Sequence, residues 1–576
     1  MTTTFVTTDM TNVFTIAAEG DLLDVMPSGV ITASNLLGAV VGAFGCEIEV
    51  LGAIAGVFAG INVGVAGQSS YIYVGASGSV SGSSSEAGVE TAGSFYLENH
   101  GDIFGSGGSS SLGSGVIGTG AGTIVNYGSI SGITKGINAH DNATGDLWTL
   151  DNYGAIYGAD YSFDGLSETD TIMNSGSMNG DVQLGAGNGG SIDNTGTISG
   201  NIAAPNGETV TNSGVITGVV TLSDGTVNLD NATMTLSGSG DKVTIGAGAD
   251  NDLTVGGNGV SGSADVVNGS NAIVNVSVNS NVQVNGDADT VAVGANANVV
   301  VSGSDETLYL SNGSVANLVS PSDDWSGVFG SGGTVELNNE KAAVFGSGDS
   351  IDLASGPSNV AALFNSDGNW DGVYGSNGVI ELNSVKTAVY GFDDAIDLVS
   401  GTGNVAAIYN SVGFFDGVYG SDGVVELNSV KAVVTGGGDT VYFASGSGNV
   451  AALFGSIGNA DAVSGSNGIV ELNGVSSAIS GSSNVVYFNN GNDTASLTGA
   501  SDTIVAAQGI GGMDTISGFA STDTLQFSAQ NFANYQALSQ SGDLSEIGGN
   551  TVVTLTASDS ITVVGATLSA SQFVFA

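Results

Sequence analysis

Asn126-Tyr-Gly-Ser-Ile-Ser-Gly132 is one copy of an Asn-x-Gly-x-Ile-x-Gly motif that decides how this 576-residue chain is expected to fold. The intervals between the asparagines of six successive copies are 27, 26, 22, 20 and 18. The copies are Asn99–Gly105, Asn126–Gly132, Asn152–Gly158, Asn174–Gly180, Asn194–Gly200 and Asn212–Gly218. Repeats of this length with β-branched residues and Gly/Asn turns predict one coil of a parallel β-helix each. We expect the Ile or Met to point into the core, the Asn to bond to the next coil, and the Gly to supply positive φ and close stacking.

A second and stricter repeat occupies the later part of the chain. Equivalent residues of a Val/Ile-Glu-Leu strand, a Gly-x-x-Asp turn and an Asn-Val-Ala-Ala segment each recur 45 residues apart. They are Glu336, Glu381, Glu426 and Glu471; Asp349, Asp394, Asp439 and then Asn484; and Asn359, Asn404 and Asn449. About six short strands can be counted in one unit, which predicts two coils of three strands each.

The sequence therefore predicts an all-β fold, a right-handed parallel β-helix (β-solenoid) that runs through most of the chain. Five segments are expected from the changes in repeat pattern. They are apolar coils at 1–85, the Asn-x-Gly-x-Ile coils at 86–235, a looser solenoid at 236–325, the 45-residue repeats at 326–500, and a distinct β region at 501–576.

Charge narrows the possible partners. Five lysines, no arginine and 55 acidic residues give a formal net charge of −50. Nucleic-acid binding needs basic side chains that neutralise phosphates, and an anionic membrane surface would repel this chain. We expect no membrane span, because the apolar stretch 37–65 is interrupted by Glu47 and Glu49, and no amino-terminal signal peptide. A hard cation that takes oxygen ligands, above all calcium, is the expected partner.

Calcium ligands are predicted from one near match to a repeat-in-toxin nonapeptide, Gly509-Ile-Gly-Gly-Met-Asp-Thr-Ile-Ser517. A looser relative is Asn489-Asn-Gly-Asn-Asp-Thr-Ala495. With the Gly-x-x-Asp turns they give five candidate metal ligands: Asp349, Asp394, Asp439, Asp493 and Asp514. The alternative for each is an aspartate that only shapes a turn.

Catalysis is not expected, because the chain has few groups that could serve as a base. Lys341, Lys386 and Lys431 recur 45 residues apart, so they are repeat features that pair with a carboxylate or cap a turn. His140, beside Asp141 and near Lys135, forms the only mixed cluster. A glycosidase needs only two carboxylates, and the spacing does not exclude such a pair. The single cysteine, Cys46, is expected to be buried packing.

Aromatic residues also follow the 45-residue period. Trp325, Trp370 and Phe415 occupy equivalent positions. They are consistent with a stacking stripe that binds sugar or a neighbouring subunit. The alternative is a half-buried structural ladder.

The segment 501–576 resembles the carboxy-terminal region of type I-secreted repeat-in-toxin (RTX) proteins. The parts that carry the resemblance are Asp523–Phe527, Gly549–Leu555, Asp559–Gly565 and Ser571–Ala576. The Asn-x-Gly-x-Ile block is similar to haemagglutinin-like surface β-helices. The resemblance implies an uncleaved carboxy-terminal secretion signal, and a place outside the cell or on the surface of a Gram-negative bacterium. Nonapeptides are sparse here, unlike the tandem runs of that family.

Structural members of that family form surface layers and biofilm matrix, and no protease or esterase motif is present. We therefore predict an extracellular structural protein that assembles with copies of itself into a filament or surface layer, assisted by calcium. Unpaired strands at both ends of a solenoid would permit such addition. The alternative is a monomeric adhesin or matrix protein that binds surface polysaccharide or lipopolysaccharide. A β-helix enzyme that degrades polysaccharide is the third hypothesis.

Overall fold

The structure is a computed structural model in which strands make up 61% and helices 2% of the chain. It describes residues 2–576 except 35–37, 43–44, 65–66, 84–86, 108–112, 140–146, 166–168, 186, 188, 249–250, 258, 260–261, 320–324, 356–358, 365–368, 401–402, 410–414, 456–458 and 507–511. The chain forms two compact units, Met1–Val299 and Val300–Ala576, and each is a parallel β-solenoid. The predicted all-β solenoid is thereby confirmed. The boundaries of the five predicted segments stay a prediction.

The first unit contains two parallel sheets, which we name A and B. Its strands are β1 (Thr3–Val6), β2 (Phe14–Ile16), β3 (Leu22–Val25), β4 (Val30–Ala33), β5 (Gly38–Gly42), β6 (Glu47–Val50), β7 (Ala53–Gly56), β8 (Ala59–Val63), β9 (Ser69–Val74), β10 (Ser79–Gly82), β11 (Val89–Thr91), β12 (Ser94–Asn99), β13 (Asp102–Gly105), β14 (Ser114–Gly118), β15 (Gly122–Asn126), β16 (Ser129–Gly132), β17 (Lys135–Ala139), β18 (Trp148–Asn152), β19 (Ala155–Gly165), β20 (Asp170–Asn174), β21 (Ser177–Gln183), β22 (Ser191–Asn194), β23 (Thr197–Ser199), β24 (Ile202–Ala204), β25 (Thr209–Asn212), β26 (Val215–Ile216), β27 (Val219–Ser223), β28 (Thr226–Leu229), β29 (Thr233–Ser239), β30 (Lys242–Ile245), β31 (Asp252–Gly256), β32 (Asp265–Asn268), β33 (Ile273–Val276), β34 (Asn281–Asn285), β35 (Thr290–Val293) and β36 (Asn298–Ser302), which contains the boundary between the units. Sheet A holds β1, β3, β6, β9, β12, β15, β18, β20, β22, β25, β28, β30, β32, β34 and β36, and sheet B holds the other strands up to β35.

The coils of this unit become shorter along the chain. Between successive strands of sheet A, such as β12, β15 and β18, the chain contributes two strands to sheet B. From β28 onward only one strand of sheet B intervenes. Asn126 is the register partner of Asn99, an interval of 27 along the chain, whereas Lys242 is the partner of Thr226, an interval of only 16. The wide coils enclose bulky side chains, with Trp148 packed edge-on at a centroid distance of 5.2 Å from Phe95.

The six motif asparagines form a continuous hydrogen-bonded ladder. Each is buried at the end of a sheet A strand, in register with the next. Each Nδ2 donates to the Oδ1 of the following asparagine, at 2.8, 2.8, 2.7, 2.7 and 2.7 Å from Asn99 to Asn212. Leu229 occupies the next position, and the buried Nδ2 of Asn212 has no hydrogen-bond partner. The predicted stacking role of these asparagines is confirmed.

The other motif positions also serve the stacking of coils. The predicted inward residues are buried: Ile103, Ile130, Ile156, Met178, Ile198 and Ile216. A Cβ on Gly128 would overlap the carbonyl oxygen of Gly101 in the preceding coil. The glycine is therefore required by close approach of backbones, as expected. The expected positive φ was wrong for the first glycine of each motif, and among the last glycines only Gly180 has it, with φ 119°.

In the second unit the strands again lie in two sheets, whose parts in this unit we name C and D. Its strands are β37 (Thr307–Leu310), β38 (Val315–Val319), β39 (Trp325–Gly330), β40 (Thr334–Asn338), β41 (Lys341–Phe345), β42 (Ser350–Ser355), β43 (Val360–Phe364), β44 (Trp370–Gly375), β45 (Val379–Asn383), β46 (Lys386–Tyr390), β47 (Ala395–Ser400), β48 (Val405–Tyr409), β49 (Phe415–Gly420), β50 (Val424–Asn428), β51 (Lys431–Thr435), β52 (Thr440–Ser445), β53 (Val450–Phe454), β54 (Asp461–Ser464), β55 (Ile469–Asn473), β56 (Ser476–Ser482), β57 (Val485–Phe488), β58 (Thr494–Ala500), β59 (Thr503–Ala506), β60 (Met513–Ser517), β61 (Thr524–Phe527), β62 (Leu544–Ile547), β63 (Asn550–Thr556), β64 (Asp559–Val563) and β65 (Phe573–Phe575). Sheet C holds β38 to β60 by even numbers and then β62, β63 and β64, and sheet D holds the odd-numbered strands except β63.

Each coil of this unit has one strand in each sheet, so consecutive strands alternate between sheets C and D. A 45-residue repeat, for example from β40 up to β45, contains five strands. The prediction of two three-stranded coils per repeat was therefore wrong, because the sixth strand counted belongs to the next repeat. Five strands make two and a half coils. Equivalent strands of consecutive repeats consequently lie in opposite sheets.

The carboxy-terminal strands depart from this pattern. Strand β64 pairs in parallel with β60, but β63 pairs with β64 and β62 in antiparallel fashion. Helix α1 (Tyr535–Ser541) precedes them, and the Oδ1 of its N-cap Asn534 accepts the Ala537 N–H at 2.9 Å. The open parallel coil expected at this end of the solenoid is thus replaced by an antiparallel meander.

Candidate functional site

The five predicted metal ligands occupy one kind of structural position. Each aspartate is buried at or directly before the start of a strand, and its Oδ1 accepts a backbone N–H from the preceding coil. The bonds are Gly333 N–H to Asp349 at 3.0 Å, Gly378 to Asp394 at 3.1 Å, Gly423 to Asp439 at 3.0 Å, Val475 to Asp493 at 2.9 Å, and Asp493 to Asp514 at 3.0 Å. These bonds give all five a structural role in joining coils.

The repeat aspartates do not converge on one site. Asp349 and Asp439 precede strands of sheet C, whereas Asp394 precedes a strand of sheet D. Asp493 and Asp514 are neighbours in adjacent coils. Within the parts of the chain that the structure describes, no three His, Cys, Asp or Glu side chains are placed to hold a metal ion. The residues 507–511 of the nonapeptide lie outside the described residues. Calcium binding stays a prediction.

A second set of carboxylates, which the sequence reasoning missed, pairs with the first. The backbone N–H groups of Asp349, Asp394 and Asp439 each donate at 3.1 Å to the Oδ1 of an aspartate one coil later. The acceptors are Asp371, Asp416 and Asp461, all buried. Their constant interval of 22 from the first set was the signal that could have identified them.

Burial dominates the electrostatics of these pairs. Desolvation raises the pKa of Asp394 to about 7, with a further contribution from the neighbouring Asp416, and raises the pKa of Asp371 to about 6. It likewise raises the pKa of Asp514 to about 7. The Oδ2 atoms of Asp394 and Asp439 are buried without a hydrogen-bond partner. A proton on such an oxygen would supply the donor that a carboxylate lacks.

Outward-facing aromatic rings form a different feature of the same repeats. Tyr374, Tyr390 and Tyr409 are register partners on β44, β46 and β48, and their rings stack at centroid distances of 5.0 and 4.8 Å. We call them the tyrosine ladder. A Cβ on Gly372 would lie 3.0 Å from the Tyr374 ring, so this ring lies over the glycine two residues earlier in its strand.

A shallow cavity of about 310 Å³ opens beside this ladder on sheet C. Its lining includes Ser350, Trp370, Asp371, Tyr374 and Tyr390. Trp370 and Tyr374 are 42% and 44% exposed, so aromatic surface faces solvent on both sides of Gly372. Solvent-accessible aromatic rings around a concavity with a few polar groups are typical of a ligand-binding surface.

The predicted single stripe of Trp325, Trp370 and Phe415 was wrong. Trp370 lies on β44 of sheet C, whereas Trp325 and Phe415 lie on β39 and β49 of sheet D. The five-strand repeat places consecutive members on opposite sheets. Each is the register partner of a repeat lysine, as Phe415 is of Lys431, whose Nζ lies 5.6 Å from the ring centroid. The three lysines thus begin strands beside aromatic rings.

The remaining candidate groups lie in the first unit. His100 Nε2 is 2.8 Å from Glu98 Oε1, and its ring stacks on Tyr127. Lys135 forms an ion pair with Asp164, while His140 and Asp141 lie outside the described residues. Cys46 is buried, as predicted, and burial raises the pKa of its thiol. The expectation that the chain is not an enzyme stays a prediction.

Comparisons with known proteins do not assign the chain to a family, so its class is defined by its fold alone. No protein-family model matches the sequence, and no curated protein matches it. In the described parts of the chain, no helix has the length and apolarity that crossing a membrane requires. The chain is defined as a parallel β-solenoid protein with buried asparagine and aspartate ladders and outward aromatic ladders. The resemblance to type I-secreted RTX proteins stays a prediction.

Proposed function

We propose that this chain is an extracellular structural protein that assembles with copies of itself through an apolar strip on sheet D. The strip is a second ring ladder, made of Tyr309, Phe329, Phe345 and Phe364, which we call the phenyl ladder. Its rings stack at centroid distances of 5.4, 4.8 and 4.7 Å across β37, β39, β41 and β43. This ladder is the observation that carries the proposal.

The surroundings of the phenyl ladder suit protein contact. The neighbouring outward column on the same strands consists of Thr307, Gly327, Ala343 and Ala362, so the two columns contain no charged residue over four coils. Charge depletion with aromatic enrichment is typical of the centre of a protein interface. Phe329, Phe345 and Phe364 also carry no group that could bond to a polar ligand, which favours another apolar surface as partner.

The strip is too small to hold a discrete dimer by itself. Four strands spaced about 4.8 Å apart make a strip roughly 19 Å long. Such a strip covers only a few hundred Å², whereas a stable pairwise interface needs about 800 Å² on each partner. Assembly into a filament or a surface layer therefore needs further contacts that act together with the strip, and we expect calcium bridges between copies to supply them.

Electrostatic repulsion opposes this assembly, because each copy carries a formal net charge of −50. Divalent cations relieve such repulsion. We expect calcium to act between copies, with acidic ligands from both. The low content of basic residues and the resemblance of 501–576 to secreted proteins support a place outside the cell.

Electron microscopy and sedimentation of the full chain test the proposal. We expect ordered polymers with calcium, dispersal on addition of EDTA, and loss of polymers in Phe345→Ser. Tyr390→Ser is the matched control, since Tyr390 is the equivalent residue of the next repeat and lies on sheet C. Monomeric wild-type protein in calcium, or equal disruption by both substitutions, would show that the proposal is wrong.

A further inference from the structure

We propose that the cavity lined by Trp370, Tyr374 and Tyr390 on sheet C binds a neutral polysaccharide chain. This site lies on the sheet opposite the phenyl ladder, and it goes beyond the proposed self-association.

The geometry provides two exposed rings at a spacing that suits a sugar chain. Trp370 and Tyr374 lie four residues apart on the same outward face of β44, which places their Cα atoms about 13 Å apart at about 3.3 Å per residue. The Tyr374 ring lies over Gly372, the residue between them, and fills the space that a side chain at this position would occupy. A chain of sugar rings can lie along the exposed surfaces of Trp370 and Tyr374, with its apolar C–H groups against the two rings.

The polar groups of the site suit hydroxyl ligands. Tyr374 and Tyr390 carry phenolic hydroxyls that donate and accept hydrogen bonds, and Ser350 adds a partly exposed hydroxyl. Aromatic surface for orientation and a few hydroxyls for specificity is the combination that recognises a neutral carbohydrate.

The negative charge around the cavity favours neutral glycans over anionic ones. The cavity contacts two buried aspartates, Asp349 and Asp371, and the whole chain carries −50. A polyanionic glycan would meet a repulsive potential at this surface, whereas a neutral glycan would meet none. The occupant expected from these charges is an uncharged polysaccharide.

The equivalent positions of the neighbouring repeats lack this combination. On sheet D, Trp325 is followed four residues later by Phe329, which has no hydroxyl. Phe415 is followed by Tyr419, but its phenyl ring offers less stacking surface than the indole of Trp370. A repeat lysine is the register partner in all three cases and does not distinguish them. Of the three repeats, the one containing Trp370 combines an indole with a tyrosine hydroxyl, and it is therefore the one expected to bind.

Affinity electrophoresis of the full chain tests the inference, with hydroxyethylcellulose and dextran as neutral probes and alginate as the anionic probe. We expect at least one neutral polymer to retard the wild-type chain and alginate to leave its mobility unchanged. Trp370→Ala should raise the apparent Kd at least tenfold, and Trp325→Ala, the matched control on sheet D, should leave it unchanged. Tyr390→Phe, which removes only a hydroxyl, should weaken binding severalfold while the melting temperature is retained.

Several results would overturn the inference. They are no retardation by either neutral polymer, equal retardation by alginate, and equal effects of Trp370→Ala and Trp325→Ala. If Trp370→Ala abolishes assembly but not glycan retardation, this face contacts another copy instead. Phe345→Ser should lose assembly and keep glycan binding, so the failure of either proposal can be recognised separately.

Discussion

Glu336 and Glu381 occupy the same position of consecutive repeats, yet Glu336 lies in sheet C and Glu381 in sheet D. The cause is the odd number of strands in each repeat. Any residue that recurs with the sequence period therefore appears alternately on the two faces of the second unit. Sequence period and spatial period differ by a factor of two, because only a pair of repeats brings the chain back to the same sheet.

Deletion of one repeat should move every downstream residue to the other face. In a chain with Cys46→Ala, spin labels at Glu336→Cys and Glu471→Cys lie on opposite sheets, three repeats and therefore seven and a half coils apart. Removal of residues 379–423 should leave the solenoid folded and place both labels on one face, with an axial separation of about 24 Å in place of about 36 Å. Pulsed electron spin resonance measures this distance.

The control for that experiment is deletion of residues 379–468, which removes two repeats. The labels should then remain on opposite faces. A single-repeat deletion that keeps the labels on opposite faces, or that unfolds the chain while the double deletion folds, would contradict the five-strand repeat.

Interruption of the asparagine ladder should destabilise the coils around it. Asn152 accepts from Asn126 and donates to Asn174. Asn152→Leu leaves buried polar atoms without these partners and should cost about 2–4 kcal/mol. Asn212→Leu should cost less than half as much, because the Nδ2 of Asn212 already lacks a partner and Leu229 follows. Hydrogen exchange of strands β18 and β25 measures both, and equal costs would exclude the ladder as the cause.

Stability of the second unit should fall as the pH rises from about 4 to 7. Burial raises the folded pKa of Asp394 to about 7 and of Asp371 to about 6, above the value of about 3.9 in an unfolded chain. The folded state then holds more protons than the unfolded state within this window, so the stabilisation present below pH 4 is lost as pH passes the folded pKa. Thermal melting across this pH range measures the trend, and a flat or rising profile would contradict it.

Asp394→Asn is the control variant for the pH dependence, because the fourth repeat naturally has an asparagine, Asn484, at the equivalent position. The Oδ1 of Asn484 accepts the Gly468 N–H at 3.0 Å, and its Nδ2 donates to the Gly465 carbonyl at 3.0 Å. Asp394→Asn should gain the same donor. We expect it to raise stability at pH 8 by about 1–2 kcal/mol and to have little effect at pH 4. Loss of stability at pH 8 would indicate that the carboxylate is needed, for example by a cation.

The calcium prediction is most sharply tested at Asp493 and Asp514, which lie in adjacent coils with Asp493 N–H bonded to Asp514 Oδ1. If calcium binds there, calcium at millimolar concentration should raise the melting temperature of the wild-type chain relative to EDTA, while the same concentration of magnesium should not. Asp493→Asn with Asp514→Asn should abolish the difference. Equal melting temperatures in calcium and in EDTA would show that Asp493 and Asp514 do not form a calcium site.

The parallel β-solenoid fold, the inward Ile positions and the asparagine ladder could be predicted from the sequence, because they depend on residues in register between neighbouring coils. The number of strands per coil could not be predicted, because the alternation of inward Val335 and outward Glu336 is the same in two-stranded and three-stranded coils. The pairing of Asp349 with Asp371 and the cavity at Trp370 were missed for a related reason. Both depend on which strand lies beside which, and that follows from the coil length.

The shortening of coils in the first unit limits how such a chain can evolve. The intervals of 27, 26, 22, 20 and 18 between ladder asparagines give coils of different cross-section, which cannot replace one another. A duplicated coil would have a different perimeter from the coils on either side of it, and its strands would not pair with theirs in register. The 45-residue repeats have equal perimeters, so unequal crossing-over can lengthen or shorten the gene only within the second unit. Natural length variants should therefore differ there in steps of one repeat, and each odd step exchanges the faces that the later repeats present.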